Sequence, residues 1–224
     1  MERLMLSNRW HRLDPIRRIW HRWTPKAKAY IRSAPATFTY LFVLVITTWV
    51  LQTSSSRIAD QLLLARSTNL HHLMNDPMRV LFGSAFWVAD GSELFFSILL
   101  FTIIAAQVER WLGTARTVAI FFIGHVGATL LVAFWLWASL NFMVVKSPIT
   151  NAQDVGASYG LAVLAGVLAY RISRPRRWLY VAGVCAVAGV DLAIEPSFTN
   201  WGHVISLGIG FGALFSIPRR LRVT

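Results

Sequence analysis

A serine, a histidine and an aspartate lie near the ends of apolar stretches in the second half of the sequence. Ser158 follows Gly156 in a run of small residues, His203 follows Gly202, and Asp191 lies near the end of the apolar stretch between them. A serine hydroxyl is a weak nucleophile until a neighbouring base accepts its proton, and imidazole has a suitable pKa for that role. These residue types point to serine-based acyl transfer if the fold brings Ser158 and His203 together.

The segments that carry these residues are typical of a membrane protein. Of the 224 residues, 55% are hydrophobic and only 14% are charged, which excludes a water-soluble domain. Six apolar stretches are predicted to be membrane-spanning helices: residues 36–52, 93–108, 117–139, 154–170, 178–194 and 200–217. Several are shorter than the roughly 20 residues that a span usually needs, so we expect a thin bilayer or helices that extend past these limits.

The 22 basic residues are distributed unevenly over the segments that connect these stretches. When the segments are assigned to alternate sides of the membrane, 18 Lys and Arg residues lie on one side and 4 on the other. Because cytoplasmic loops carry an excess of Lys and Arg, both termini are predicted to be cytoplasmic. Topology thereby explains most of the net charge of +12, and no nucleic-acid partner is expected.

Three regions follow from this organisation. Residues 1–33 contain nine basic residues and several tryptophans, and they are predicted to form an amphipathic cytoplasmic arm on membrane lipids. Residues 34–217 are predicted to form an all-α, polytopic membrane domain of six helices, and residues 218–224 a basic cytoplasmic tail. The single cysteine, Cys185, excludes a disulfide framework, and no metal or cofactor is expected. The short loops suggest an integral protein of a bacterial plasma membrane.

With this orientation, the three candidate residues fall in one layer of the outer leaflet. From a helical rise of about 1.5 Å per residue, Ser158 lies roughly 6 Å below the outer surface, and His203 and Asp191 lie roughly 4.5 Å below it. Small residues around Ser158 and along 202–212 allow close helix contact, so the hydroxyl could reach the imidazole. The alternative is that serine and histidine only form hydrogen bonds between helices. His125, near the middle of the third stretch, is expected to be structural.

At these residues the sequence resembles the rhomboid family of intramembrane serine proteases, over about residues 36–217. Three motifs carry the resemblance: GxS on the fourth stretch, a histidine followed by small residues three and seven positions later on the sixth, and ExxxGxxR between the second and third. The matching residues are Gly156, Ser158, His203, Ser206, Gly210, Glu109, Gly113 and Arg116. The resemblance implies a six-helix bundle whose Ser158–His203 dyad cleaves transmembrane substrates without a cofactor.

The sequence departs from the rhomboid pattern at residues that would support the dyad. Tyr159 replaces the glycine after the serine, and we expect its ring to obstruct the substrate backbone or to turn toward lipid. Ala162 stands where many rhomboids have a tyrosine packed on the histidine, so the histidine is expected to lose that support. The HxxxN pattern of the second helix, which supplies oxyanion donors, is absent. Ser97 and Asn200 are therefore candidate donors beside the backbone N–H of Ser158.

These departures leave two functions open. The first is an intramembrane protease with Ser158 as nucleophile and His203 as base. Asp191 is a candidate third member, which the resemblance does not imply. The second is a rhomboid pseudoprotease that binds the transmembrane helices of client proteins without cleaving them. Transmembrane proteins and membrane lipids are the expected partners in both.

Overall fold

The computed structural model describes residues 24–68, 70–142, 156–213, 217–218 and 221. Most of the predicted basic arm and most of the predicted tail lie outside these residues. Within them, all regular structure is helical, beginning with residues 24–32. The helices that follow are α1 (Pro35–Thr53), α2 (Ser56–Arg66), α3 (Leu70–Asn75), α4 (Pro77–Gly83), α5 (Gly91–Leu112), α6 (Thr114–Phe142), α7 (Ser158–Leu168), α8 (Arg174–Ile194) and α9 (Phe198–Gly212).

Four of these helices are long and apolar enough to cross a membrane: α1, α5, α8 and the segment Thr114–Ser139 of α6. They coincide with the first, second, fifth and third predicted spans, and each extends past the limits drawn from hydropathy. The fourth and sixth predicted stretches are helical as well, but α7 has 11 residues and α9 has 15. The chain is therefore an all-helical membrane protein with four helices of full spanning length among its described residues.

The short helix α7 lies at the centre of the molecule. It packs against α9, α6 and α5, and eight of its eleven residues are buried. Leu161 and Leu164 join the main hydrophobic core, together with Leu44 of α1, Phe101 of α5 and Phe121 of α6. A helix that is apolar on all sides is stable only when other elements surround it. The longer helices around α7 provide that environment.

The backbones of α7 and α9 touch. A Cβ atom on Gly166 would lie 2.8 Å from the Cα of Gly210, and a Cβ on Gly210 would collide with the carbonyl oxygen of Val163. Ser206, one turn before Gly210, is completely buried, and its hydroxyl donates to the carbonyl of Gly202 at 2.7 Å. Its hydrogen bond is thus made within α9, and only glycine at 166 and 210 permits this approach. Close helix contact is what the small-residue pattern predicts.

Glu109 joins the start of α1 to the end of α5. Its side chain is 2% exposed, and its carboxylate accepts from the backbone N–H groups of Ala36 at 2.9 Å and Thr37 at 2.8 Å. The hydroxyls of Thr37 and Thr114 also donate to it, each at 2.7 Å. First-turn N–H groups have no acceptor inside their own helix, and a carboxylate is favoured at that positive end. Glu109 therefore caps α1 from another helix.

The other two residues of the ExxxGxxR pattern shape the turn after α5. Gly113 has a φ of +85°, a conformation that side chains with a Cβ rarely adopt, and its N–H donates to the carbonyl of Glu109 at 2.8 Å. Arg116 donates from Nη1 to the carbonyl of Leu112 at 3.4 Å. In the described structure this motif fixes the turn between α5 and α6, and none of its residues lines the cavity of about 360 Å³ that is described below.

Candidate active site

Ser158 is the first residue of α7. Gly156 has a φ of +131° and Ala157 is the N-cap, so the helix begins at the serine itself. The prediction that the fourth helix begins at residue 154 is wrong, since residues 156 and 157 precede the helix. The N–H groups of a first helical turn have no intrahelical acceptor and carry partial positive charge. The nucleophile candidate lies at a helix end suited to a developing negative charge.

Gly156, two residues before the serine, is enclosed by the segment that leads into α5. A Cβ on Gly156 would lie 3.3 Å from Oε1 of Glu93, and 3.9 Å from both the Oγ of Ser158 and the carbonyl oxygen of Trp87. The N–H of Gly156 donates to the carbonyl of Ser84 at 3.0 Å. The first turn of α5 and the chain preceding it therefore border the serine.

Asp90 fixes the first turn of α5. Its carboxylate accepts from the backbone N–H groups of Ser92 at 2.8 Å and Glu93 at 2.9 Å, and from the hydroxyl of Ser92 at 2.6 Å. The hydrogen bond from the Ser92 side chain is the main cause that holds the pKa of Asp90 below its usual value. The cap stays charged at neutral pH, and it holds Glu93 beside Gly156.

His203 is supported by the ring of Tyr159. The two rings meet edge to face, with centroids 5.5 Å apart, and Tyr159 is 3% exposed. The tyrosine ring also occupies the space that a Cβ on Gly202 would need. Tyr159 is not among the residues that line the cavity described next, and its burial shows that the expectation of a lipid-facing ring is wrong. The ring of Tyr159 packs against the histidine. The resemblance to rhomboids implies such a supporting ring at position 162, where this chain has alanine.

Ser158, His203 and Asp191 line one cavity of about 360 Å³ between α5, α7, α8 and α9. The rest of its lining is apolar and includes Leu100 and Ala162. The Nε2 atom of His203 is buried and has no hydrogen-bond partner among the described residues, so Ser158 is not bonded to that atom. The carboxylate of Asp191 interacts electrostatically with the imidazole. The three residues thus line the same cavity, but no hydrogen bond connects the hydroxyl of Ser158 to the Nε2 of His203.

The two candidate oxyanion donors differ in their surroundings. The side-chain amide of Asn200 donates to the carbonyls of Glu195 at 2.8 Å and Asp191 at 3.3 Å, so it caps the end of α8 and both of its hydrogens are used. Ser97 is half-buried and lies three residues before the cavity-lining Leu100, on the same side of α5. Ser97 therefore stays a candidate donor beside the backbone N–H of Ser158, whereas the amide of Asn200 is already used.

A pair of buried polar residues lies behind the cavity. The hydroxyl of Ser84 and the Nε2 of His125 are 3.2 Å apart, and both residues are at most 2% exposed. The sequence predicts a structural role for His125 and assigns none to Ser84, because nothing in the pattern relates positions 41 residues apart. Among the described residues, no three His, Cys, Asp or Glu side chains converge in a way that could hold a metal ion.

Comparison with known proteins agrees with the motifs and the helical architecture. The sequence model of the family described as rhomboid-like protein matches residues 29–220. This range contains α1 to α9, and with them Ser158 and His203. No curated protein matches the chain. Since the family match covers far more than half of the sequence, the chain belongs to the rhomboid-like protein family.

Proposed function

We propose that this protein is an intramembrane serine protease in which Ser158 is the nucleophile and His203 the general base. The observation that carries this proposal is the shared cavity: Ser158 at the start of α7 and His203 near the start of α9 both line it. The direct backbone contact between α7 and α9 fixes the distance between the two helices. A serine and an imidazole held at adjoining helix ends are the arrangement that activates a hydroxyl for attack on a carbonyl.

The membrane arrangement that fits this activity has six spans and cytoplasmic termini. The four long helices would be joined by α7 and α9, with the basic segments inside and the cavity open to the outer leaflet. The 11 residues of α7 extend only about 16 Å, roughly half of a hydrocarbon core near 30 Å thick. Residues 1–33 would lie on the cytoplasmic surface as an arm, and residues 218–224 would be a tail. A bacterial plasma membrane fits this topology.

The reaction would proceed by acyl transfer from an unwound part of a transmembrane substrate. The Oγ of Ser158 attacks the peptide carbonyl carbon while the Nε2 of His203 accepts the hydroxyl proton. The resulting oxyanion would be stabilised by N–H groups at the start of α7 and by the hydroxyl of Ser97. His203 then protonates the leaving amine as the C–N bond breaks, which leaves an acyl-enzyme on Ser158. Water entering from the outer face releases the second product by the same proton transfers.

Three observations favour a second candidate function, a pseudoprotease that holds client helices. The Nε2 of His203 has no hydrogen-bond partner among the described residues, and the amide of Asn200 is used as a helix cap. The carboxylate of Glu93 also lies beside Gly156, where negative charge would oppose an oxyanion at Ser158. In that case the cavity would bind a transmembrane segment without turnover.

A labelling experiment distinguishes the two functions. Purified protein in detergent and in liposomes is treated with a fluorescent fluorophosphonate, and cleavage of transmembrane model substrates is measured in parallel. We expect wild type to be labelled and to cleave, and Ser158→Ala and His203→Ala to lose both activities. Ser139→Ala is the matched control, because this serine is half-buried on α6, does not line the cavity, and donates its hydroxyl to the carbonyl of Trp135. Labelling that persists in Ser158→Ala, or its absence from folded wild type in every lipid, would refute the protease.

A further inference from the structure

We propose that Ser84 and His125 are positioning residues that hold both members of the dyad from behind. The inference rests on the proposed function, since it concerns how Ser158 and His203 are kept in place. Neither residue lines the cavity, so neither is expected to contact a substrate. Their hydrogen bond joins the short segment Ser84–Phe86 to the middle of α6.

The first connection runs from this pair to the nucleophile. The carbonyl of Ser84 accepts the N–H of Gly156 at 3.0 Å, and Gly156 lies two residues before Ser158. Gly156 has a φ of +131° and lies before the N-cap of α7, so it is outside the hydrogen-bond pattern of that helix. The Ser84 hydroxyl is bonded to Nε2 of His125 at 3.2 Å. His125 thus fixes the position of Ser84, and the carbonyl of Ser84 in turn holds Gly156, in the turn before Ser158.

The second connection runs from the pair to the base. The ring of His125 lies 6.2 Å from the ring of Tyr159, and Tyr159 meets His203 at 5.5 Å. On its other side, His125 stacks on Phe121, with ring planes 5° apart. The three aromatic side chains therefore form a packed column that ends at the imidazole of His203. Displacement of His125 would be transmitted to the base through Tyr159.

The polar nature of the pair supports a positioning role. Ser84 is 1% exposed and His125 is 2% exposed, in surroundings formed mainly by apolar and aromatic side chains. Burying such groups is costly, and an apolar pair of the same shape can be as stable. What a hydrogen bond adds is a defined distance and direction between the loop segment and α6. Precise placement matters because a shift of about 1 Å at a reacting group can reduce the rate 100-fold.

Three variants test the proposal: Ser84→Ala removes the hydroxyl, His125→Phe keeps a ring without the hydrogen bond, and His125→Gln keeps a polar atom. We expect the first two to reduce kcat and the labelling rate of folded enzyme about 10- to 100-fold, with KM changed less than about 2-fold. His125→Gln should recover part of the loss. The double variant Ser84→Ala/His125→Phe should be no slower than the worse single variant, because both act through one bond.

Thr129→Val is the matched control. Thr129 lies one turn after His125 on α6, is 2% exposed, and has a hydroxyl without a hydrogen-bond partner among the described residues. This variant should keep wild-type kcat. A purely structural role for Ser84 and His125 would lower the folded fraction but leave kcat per folded enzyme unchanged, and that result would overturn the proposal.

Hydrogen exchange separates this proposal from the proposed function. The amides of residues 156–161 should exchange faster in Ser84→Ala and His125→Phe than in wild type and Thr129→Val. If wild type neither reacts with fluorophosphonate nor cleaves, the protease is refuted and exchange alone decides the positioning role. Unchanged exchange at 156–161 in both variants would contradict it, whether or not the protein is an enzyme.

Discussion

Gly210→Ala introduces a methyl group into the contact between α7 and α9. Its Cβ would stand 2.9 Å from the Cα of Gly166 and would collide with the carbonyl oxygen of Val163, whereas ordinary van der Waals contact begins at 3.4 Å. Both obstructing atoms belong to the backbone, so no side chain can rotate away. The helices must move apart to relieve both contacts, and overpacking of this kind costs about 1–3 kcal/mol.

The same helix provides the control. Gly208 and Gly212 lie two residues before and after Gly210, and a Cβ at either position would meet no heavy atom within 4 Å. Gly208→Ala and Gly210→Ala, both inside α9, share the gain in helix propensity of about 1 kcal/mol, which cancels when they are compared. Gly210→Ala should therefore be less stable than Gly208→Ala by about 1–3 kcal/mol. For a chain of this size that corresponds to a Tm lower by roughly 2–12 °C.

The assay is thermal unfolding of each variant in one detergent, followed by fluorophosphonate labelling below the transition. Separation of the helices carries His203 away from Ser158, so Gly210→Ala should also be labelled more slowly than the two control variants. Equal unfolding temperatures for Gly210→Ala and Gly208→Ala would mean that the backbones do not touch. The structural basis for placing Ser158 close to His203 would then be lost.

Three further predictions concern the residues around the site and the cap of α1. Glu109→Ala leaves two backbone donors of α1 without their acceptor and should lower the unfolding free energy by about 1–3 kcal/mol for each, whereas exposed Glu195→Ala should change it little. Tyr159→Phe should be labelled faster than Tyr159→Leu, because only the aromatic ring supports His203; equal rates would contradict this contact. Asp191→Asn should slow labelling less than tenfold, since its interaction with His203 is electrostatic, while a loss near 10⁴-fold would instead indicate a triad.

The helices and the α7–α9 contact could be predicted from the sequence because hydropathy and residue size act locally. The predicted spans are shorter than the helices wherever the first residues of a helix are polar. Residues 174–177, three of which are arginines, form the first turn of α8, and Gly91 and Ser92 begin α5 after the N-cap Asp90. A hydropathy pattern ends at the last apolar residue, whereas a helix ends where its backbone hydrogen bonds end. Caps and charged first turns therefore lie outside such predictions.

The errors at the site arose from contacts between distant parts of the chain. The direction of Tyr159 depends on the rotation of α7 about its axis, which is set by the fit of Gly202 on α9. The amide of Asn200 is used by the end of α8, a neighbouring helix rather than its own. Ser84 reaches the site through the N–H of Gly156, some 70 positions later. None of these relations has a local signal, so a single sequence could not reveal them.

The shortness of α7 connects the fold to the proposed chemistry. In a helix that began one or more turns before Ser158, the serine would lie in mid-helix, where every neighbouring N–H is already bonded to a carbonyl. Because α7 begins at Ser158, its first N–H groups are free of intrahelical bonds. Such polar groups are tolerated at membrane depth only when protein or a water-filled cavity surrounds them, and α5, α6 and α9 enclose this helix. A short, buried helix thus provides the end on which the proposed oxyanion stabilisation depends, while four other helices are long enough to cross the membrane.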